Sequence, residues 1–169
     1  GNLSDTQVEA ATIIYNSGKD LLNLINEILD LSKIEAGKMS ITVNSILLSN
    51  IKKNLVTNFN PLIKQKNVEF NVIIDNDIPQ EIKSDQQRIE QILKNLISNA
   101  VKFTHQGSIT VHFKKPAIAV DQPSIAISVT DTGIGIPQEK LTAIFEAFQQ
   151  ADGSTSRKYG GTGLGLSIS

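Results

Sequence analysis

Glycine is concentrated near the carboxyl-terminal end of the chain. Seven of the 11 glycines lie between residues 133 and 165, and four of them fall within Gly160–Gly165. A run this dense admits left-handed backbone conformations and lets backbone amides approach a ligand closely. A helical apolar pattern begins directly at Leu164, and the free N–H groups of a helix start suit phosphate. The segment therefore predicts an anion-binding loop in preference to a flexible linker, although neither G-x-x-x-x-G-K-[ST] nor G-x-G-x-x-G is present.

The composition excludes several classes of site. The 169 residues carry 16 basic and 17 acidic side chains, a net charge of -1, so nothing draws the whole chain to nucleic acid or to an anionic membrane. The absence of cysteine rules out disulfides and a thiolate nucleophile, and the only histidines are His105 and His112. No apolar run reaches the length of a membrane span. We expect a soluble, cytoplasmic piece, whose longer gene product could still carry a membrane anchor.

The amino-terminal segment predicts one long helix over residues 5–36. Its leucines and isoleucines form two adjacent rows at helical spacing, which together are too wide for a lone surface helix. The rows favour a bundle or dimerisation helix over a helix that packs only on its own domain. Gly37 provides a C-cap, and we expect the domain boundary between Gly37 and Met39.

The rest of the chain predicts a mixed sheet covered by helices, an α+β two-layer arrangement. Further helices are predicted over Leu48–Lys66 (interrupted or offset at Pro61), from Ser84 (capping box with Gln87) to Phe103, over Gln138–Phe148, and from Leu164. Strands are predicted over Met39–Val43, Val68–Ile74, Ile109–Phe113 and Ile125–Val129. The last two strands should be antiparallel, because their connection is too short for a crossover helix.

An aspartate leaves the last predicted strand and enters a glycine-rich turn at Asp131–Pro137. An ionised carboxylate only accepts hydrogen bonds, so Asp131 could bind the exocyclic amine of adenine, and the glycines would leave room for the flat ring. Asp-Thr-Gly alone would be better explained as an ordinary β-turn. The second glycine, Gly135, makes the longer string more specific and favours the floor of a pocket.

Two asparagines four residues apart share a face of the predicted helix that ends at Phe103. A buried amide without a partner costs about 1–3 kcal/mol, so Asn95 and Asn99 must meet either protein groups or a ligand. Asn99 could offer a neutral oxygen to Mg²⁺, and Lys102 a point charge to phosphates. Taken alone, the pair favours a structural role; together with the two glycine segments, it favours a ligand site.

Four strings, in this order, resemble the ATP-binding domain of the sensor histidine kinases of two-component signalling. Gln91–Thr104 resembles the N box, and Asp131–Pro137 the first glycine box. Phe145–Phe148 resembles the F box that opens the ATP lid, and Gly161–Gly165 the second glycine box. Upstream, Asn26–Lys38 is similar to the end of the second dimerisation helix, especially in hybrid-type kinases.

The resemblance implies the Bergerat fold, a two-layer α/β sandwich with a mixed sheet and helices on one face, here preceded by a long bundle or dimerisation helix. It divides the chain into residues 1–38, part of a dimerisation and histidine-phosphotransfer domain, and residues 39–169, the ATP-binding catalytic domain. It implies that ATP and Mg²⁺ bind, with Asn99 at the metal and Asp131 at the adenine amine. The implied nucleotide contacts are Asn95, Asn99, Lys102, Phe103, Asp131, Gly133, Gly135, Ile136, Phe148, Arg157, Gly161, Thr162, Gly163, Leu164 and Gly165.

The resemblance also implies the reaction, in which the γ-phosphoryl group of Mg-ATP passes to a histidine and then to an aspartate of a response-regulator receiver domain. The intact protein would be a homodimer through its amino-terminal helix. The resemblance also gives a comparison with the hydrolytic members of the superfamily, which have a catalytic glutamate four residues before the Mg²⁺-binding asparagine. This chain has Asn95 there, which is no base and favours transfer to a protein acceptor. A non-catalytic ATP-responsive module and a hydrolytic ATPase remain the alternatives.

The phosphoacceptor itself is not expected in this chain. In the family it is a histidine followed by an acidic residue on the first dimerisation helix, and His105 and His112 both lack that context. The family also continues beyond the second glycine box through a helix and two strands. We therefore expect a piece that begins after the acceptor helix and leaves a sheet edge uncovered.

Overall fold

A 31-residue helix, α1 (Asp5–Glu35), opens the part of the chain that the computed structural model describes, which comprises residues 4–118, 124–146 and 165–168. Ser4 and Gln7 form a capping box at its start. At its end Gly37 has a φ of +63°, and the N–H of Lys38 donates to the carbonyl of Lys33 at 2.8 Å. This Schellman ending confirms the predicted helix, with Ala36 as the C-cap and Gly37 just after it.

The strand predicted over Met39–Val43 is wrong in position. Strand β1 (Asn44–Leu47) begins after that segment and pairs antiparallel with β3 (Glu81–Ser84), a strand that the sequence analysis missed. Pairing Ile46 with Ile82 turns both side chains toward the core. The earlier residues cannot join this ladder in the same way, because the N–H of Thr42 donates to a carboxylate instead.

Helix α2 (Leu48–Lys66) is continuous, so the predicted interruption at Pro61 is wrong. Proline removes one backbone hydrogen bond, but the buried stripe continues across it from Phe59 to Ile63 and holds the helix on the core. Asn67, in the left-handed conformation with a φ of 55°, ends the helix.

Helix α3 (Gln86–Phe103) ends where predicted but begins one residue later than the capping-box pattern indicated. Ser84 belongs to β3, and the N-cap is Asp85, whose Oδ1 accepts from the N–H of Arg88 at 3.2 Å. The predicted box at Ser84 is therefore wrong. Ser84 pairs with β1 as the last residue of β3, and Asp85, directly before the helix, is an equally good N-cap residue.

The larger sheet has the order β2-β4-β5, formed by β2 (Glu69–Ile74), β4 (Ser108–Lys114) and β5 (Ala126–Asp131). β2 and β4 are parallel, whereas β4 and β5 are antiparallel as predicted. Val111 and Phe113 are fully buried and pack with apolar side chains of α2 and α3. In the described residues the helices cover one face of a mixed sheet, which confirms the predicted two-layer α+β fold.

The single helix predicted over Gln138–Phe148 is wrong for the residues that are described. Two short 3-10 turns, Gln138–Lys140 and Ala143–Phe145, occupy the segment, and neither contains a buried residue. Without burial a helix this short is marginal. A final short helix, α4 (Gly165–Ile168), contacts α1 and α3. None of the described helices combines the length and apolar character that a membrane span requires.

Candidate nucleotide-binding site

The predicted first glycine segment lies against the end of the helix that carries the asparagine pair. A Cβ on Gly133 would lie 2.6 Å from the carbonyl oxygen of Phe103 and 2.7 Å from Oδ1 of Asp131. Any side chain at residue 133 would therefore force the turn away from α3. The glycine brings the end of β5 and the end of α3 into direct contact.

The Asp131 carboxylate is held at one oxygen. Its Oδ1 accepts the N–H of Gly133 at 2.8 Å and the hydroxyl of Thr104 at 3.5 Å. Thr104 is fully buried, whereas Asp131 is exposed. Both bonds use Oδ1, so Oδ2 keeps its capacity to accept from a ligand amine. Thr104 was not among the predicted site residues, although it lies directly after the helix, at the end of the N-box string.

A second contact fixes the residue after Asp131. The Thr132 hydroxyl accepts the N–H of Ser108 at 3.0 Å and donates to the carbonyl of Gln106 at 3.2 Å. Gly107, with a φ of +103°, lies so close to Thr132 that a Cβ there would overlap the threonine hydroxyl. These contacts hold the start of the glycine turn against the α3–β4 loop. Nothing local in the sequence indicated them.

The two asparagines of α3 differ in their contacts. Asn95 donates from Nδ2 to the carbonyl of Gly165 at 3.1 Å, and a Cβ on Gly165 would only touch Asn95 at 3.5 Å. Asn95 therefore joins α3 to α4. The half-buried amide of Asn99 forms no hydrogen bond within the described ranges. Of the pair, Asn99 is the residue whose polar atoms can turn to a ligand.

A cation lies one turn beyond Asn99. The Lys102 Nζ is 5.0 Å from the centroid of the Phe103 ring, within cation–π range. Burial lowers the pKa of Lys102 below its usual 10.5. The half-buried ammonium therefore lies beside an aromatic ring at the end of α3. Because burial disfavours its charge, an anionic ligand at this position would stabilise it.

The other predicted contacts fall into two groups. Gly135 has a φ of +70° with open space around it, so glycine is needed there for backbone conformation, and Ile136 beside it is 48% exposed. Phe148, Arg157, Gly161, Thr162, Gly163 and Leu164 lie outside the described residues. In residues 4–118, 124–146 and 165–168 no cluster of three or more His, Cys, Asp or Glu could hold a metal ion. His112 is not part of this site, because it bonds Asp75 at 2.7 Å.

Comparisons with known proteins show which family the chain belongs to. The family described as histidine kinase-, DNA gyrase B-, and HSP90-like ATPase matches residues 84–169. The chain is 43% identical over 98% of its length to the autoinducer 2 sensor kinase/phosphatase LuxQ of Vibrio cholerae, covering 19% of that protein. It is 39% identical over 98% of its length to the signal transduction histidine-protein kinase BarA of Escherichia coli, covering 18% of it. The chain thus spans about a fifth of the length of these curated relatives.

A solved structure shares the architecture. Full-length ShkA in complex with AMPPNP superposes with a TM-score of 0.80 at 30% identity, over 99% of this chain and 34% of that one. The chain belongs to the family of histidine kinase-, DNA gyrase B- and HSP90-like ATPases. Within that family it is an ATP-binding catalytic domain of the sensor histidine kinase type, with the Bergerat fold.

Proposed function

We propose that this chain binds Mg-ATP and that the longer protein transfers the γ-phosphoryl group to a histidine on a helix that precedes α1. The bond between the γ-phosphorus and its bridging oxygen breaks, ADP leaves, and a phosphorus–nitrogen bond forms to one nitrogen of the imidazole, whose other nitrogen releases its proton to solvent. An aspartate of a response-regulator receiver domain would then take the phosphoryl group. The observation that carries the proposal is the contact of Gly133 with Phe103 and Asp131, which supports one shared pocket.

Each residue at the end of α3 has a role in the proposal. The free Oδ2 of Asp131 would accept the adenine amine, and the turn that contains Gly133 and Gly135 would line the base pocket. Lys102 would neutralise phosphate charge, and Phe103 would contact the purine or ribose. The remaining predicted contacts, from Phe148 to Leu164, are proposed as part of the lid and the phosphate loop.

The donor set fits magnesium as a companion of ATP. Mg²⁺ keeps several waters and takes phosphate oxygens, so one neutral oxygen from Asn99 is sufficient protein ligand. When bound, the ion would neutralise charge on the phosphates. The chain's own contribution is to orient the amide oxygen of Asn99 on a rigid helix, 18 residues long.

Asn95 argues against hydrolysis by this site. A hydrolytic mechanism needs a group that activates water, and the Asn95 side chain is not basic and already donates to Gly165. Phosphoryl transfer depends mainly on positioning and charge neutralisation, which the residues of α3 could supply without a base.

We also propose that residues 1–38 and 39–169 are the two domain parts and that the intact protein is a homodimer through α1. The apolar residues Leu21, Leu22, Ile25, Ile28 and Leu29 are between 41% and 58% exposed on α1, which supports a partner helix. Because ATP is an intracellular substrate, we expect this domain to face the cytoplasm.

Incubation with γ-labelled ATP and a separately added acceptor-helix polypeptide tests the reaction. The proposal predicts label on the acceptor histidine, in a bond that acid hydrolyses and alkali does not. Release of inorganic phosphate without label on the acceptor would support a hydrolase. Tight ATP binding with neither product would support a non-catalytic module and would overturn the proposed transfer.

A further inference from the structure

One carboxylate on the last turns of α1 bridges to the first turns of α3. Asp30 Oδ2 accepts from Arg88 Nη1 at 3.0 Å and from Gln91 Nε2 at 2.8 Å. The two donors are three residues apart on one face of α3, and Arg88 also donates to Gln91 at 2.7 Å. The Arg88 and Asp30 side chains are only 25% and 17% exposed. The hydrogen bond from Gln91 and the charge of Arg88 lower the pKa of Asp30.

The surroundings make this bridge important for the position of α1. An open cleft of about 830 Å³ lies beside it, lined by residues of α1, α2 and α3 that include Asn26, Asn58 and Lys94. Leu29, Leu55 and Phe59 also line this cleft, so it is not closed by tight apolar packing between α1 and the other two helices. Parts of a chain can move relative to one another unless a large hydrophobic interface joins them. Besides the contacts of α4 with both helices, the bonds from Arg88 and Gln91 to Asp30 are directional polar bonds that join α1 to α3 in the described residues.

A second bond holds the same end of α3. Asp85, the N-cap of α3, accepts the N–H of Thr42 at 2.9 Å, which fixes the segment that connects α1 to β1. Asn99 lies 11 residues after Arg88 on the same helix, so a rigid α3 would separate them by about 16 Å. A rotation at the Asp30 end is then transmitted to the proposed nucleotide site.

We propose that Asp30 is a positioning residue, which fixes the angle between α1 and α3 and so orients the ATP site relative to the helix that precedes α1. The effect of Asp30 on phosphoryl transfer rests on the proposed function, whereas its effect on the angle between α1 and α3 does not. Asp30 is not proposed to touch the substrate. Its effect on the reaction is exerted through Arg88 and Gln91.

The absence of cysteine allows a direct measurement on this chain. Cysteines placed at Asn16 on α1 and Lys53 on α2, both exposed, would carry spin labels for pulsed distance measurement. An excess of unlabelled chain suppresses distances between copies. We expect one narrow distance distribution, which Asp30→Ala broadens or shifts. An unchanged distribution in Asp30→Ala would overturn the proposal.

Two further variants exclude a general loss of structure. Asp77→Ala removes a carboxylate from an exposed ion pair with Lys115, at 2.9 Å, and should leave the distribution unchanged. The exchanged pair Asp30→Arg with Arg88→Asp should restore the narrow distribution. If Asp77→Ala broadens the distribution equally, or the exchanged pair does not restore it, the assignment is wrong. If Asp30→Ala does not fold, Asp30→Asn replaces it in the distance measurement, and a thermal melt checks that this variant is folded.

A kinetic measurement separates this inference from the proposed function. In protein that carries the acceptor helix, Asp30→Ala should lower kcat for self-phosphorylation about tenfold while KM for ATP changes less than about twofold. Equal kcat in wild type and variant would overturn the positioning role. If the wild-type protein transfers no phosphoryl group, the proposed function is wrong. The distance measurement would still test the geometric role of Asp30 on its own.

Discussion

The backbone of Gly133 rests on the end of α3 so closely that a Cβ at this residue would lie 2.6 Å from the carbonyl oxygen of Phe103. That contact joins the glycine turn after β5 to the helix that carries Asn99 and Lys102. It is the structural basis for treating these residues as one site.

Gly133→Ala should displace the turn and damage nucleotide binding. The added methyl group meets backbone, which cannot move aside cheaply, so we expect a loss of about 1–3 kcal/mol in the free energy of unfolding. ATP affinity should fall by about tenfold or more, because the pocket floor moves. Urea unfolding and calorimetric titration measure the two effects.

Gly18→Ala is the matched control, because a Cβ at Gly18 in the middle of α1 meets nothing within 4 Å. It should stabilise the helix by up to about 1 kcal/mol and leave ATP affinity unchanged. Equal losses of affinity in both variants would contradict the contact-based explanation.

Substitution of the two asparagines should give different results. Asn99→Ala should remove most of the dependence of ATP affinity on Mg²⁺, because it deletes the proposed metal ligand. Asn95→Ala should cost about 1 kcal/mol of stability through the lost bond to Gly165, while the Mg²⁺ dependence persists. Titrations with Mg²⁺ and with a chelator measure both. If Asn95→Ala abolished the Mg²⁺ dependence and Asn99→Ala did not, the assignment of Asn99 as the metal ligand would be wrong.

Lys102 should make ATP binding consume protons at alkaline pH. Burial lowers the pKa of Lys102, so in the free protein this lysine loses its charge below the usual 10.5. Bound phosphates favour the charged form and raise the pKa again, so a proton is taken up. Calorimetry in two buffers of different ionisation enthalpy, just under pH 10.5, measures the uptake. Lys102→Met should abolish it, and uptake that persists in this variant would assign the proton to another group.

Asp85 should contribute stability that disappears in acid. The N–H of Thr42, and then the N–H of Arg88, lower its pKa in the folded chain below 3.8. A carboxyl with a lowered folded pKa stabilises the fold above its unfolded value, and this stability is lost as pH falls through the folded pKa. Asp85→Asn should therefore be less stable than wild type at neutral pH, and the difference should shrink below pH 3.8 in urea unfolding. A difference independent of pH would contradict this.

Much of the fold could be predicted from local patterns. The long helix α1 and its glycine ending follow from apolar periodicity and one left-handed residue, and β4 and β5 follow from alternation. Strand β3 could not be found in this way. Its four residues contain one apolar side chain, Ile82, and it exists because β1 pairs with it. The error at Met39–Val43 has the same origin, since strand pairing is decided by the partner.

In the candidate site, too, residues in local motifs could be predicted and contacts between distant segments could not. Asn99, Lys102 and Asp131 stand in recognisable strings, so their sequence context was enough to propose them. Contacts between distant segments were not visible, such as the buried hydroxyl of Thr104 at Asp131 and the bridge from Asp30 to Arg88. These depend on which helix ends meet in three dimensions.

The most direct test of the central claim is titration of ATP and GTP into wild type and Asp131→Asn. Because Oδ1 of Asp131 is engaged by Gly133, an asparagine that keeps this bond presents its NH₂ group to the adenine amine, so donor faces donor. The account predicts that ATP affinity falls by about tenfold or more and that the preference for ATP over GTP disappears. Unchanged affinity and unchanged preference in Asp131→Asn would contradict an adenine pocket at this aspartate.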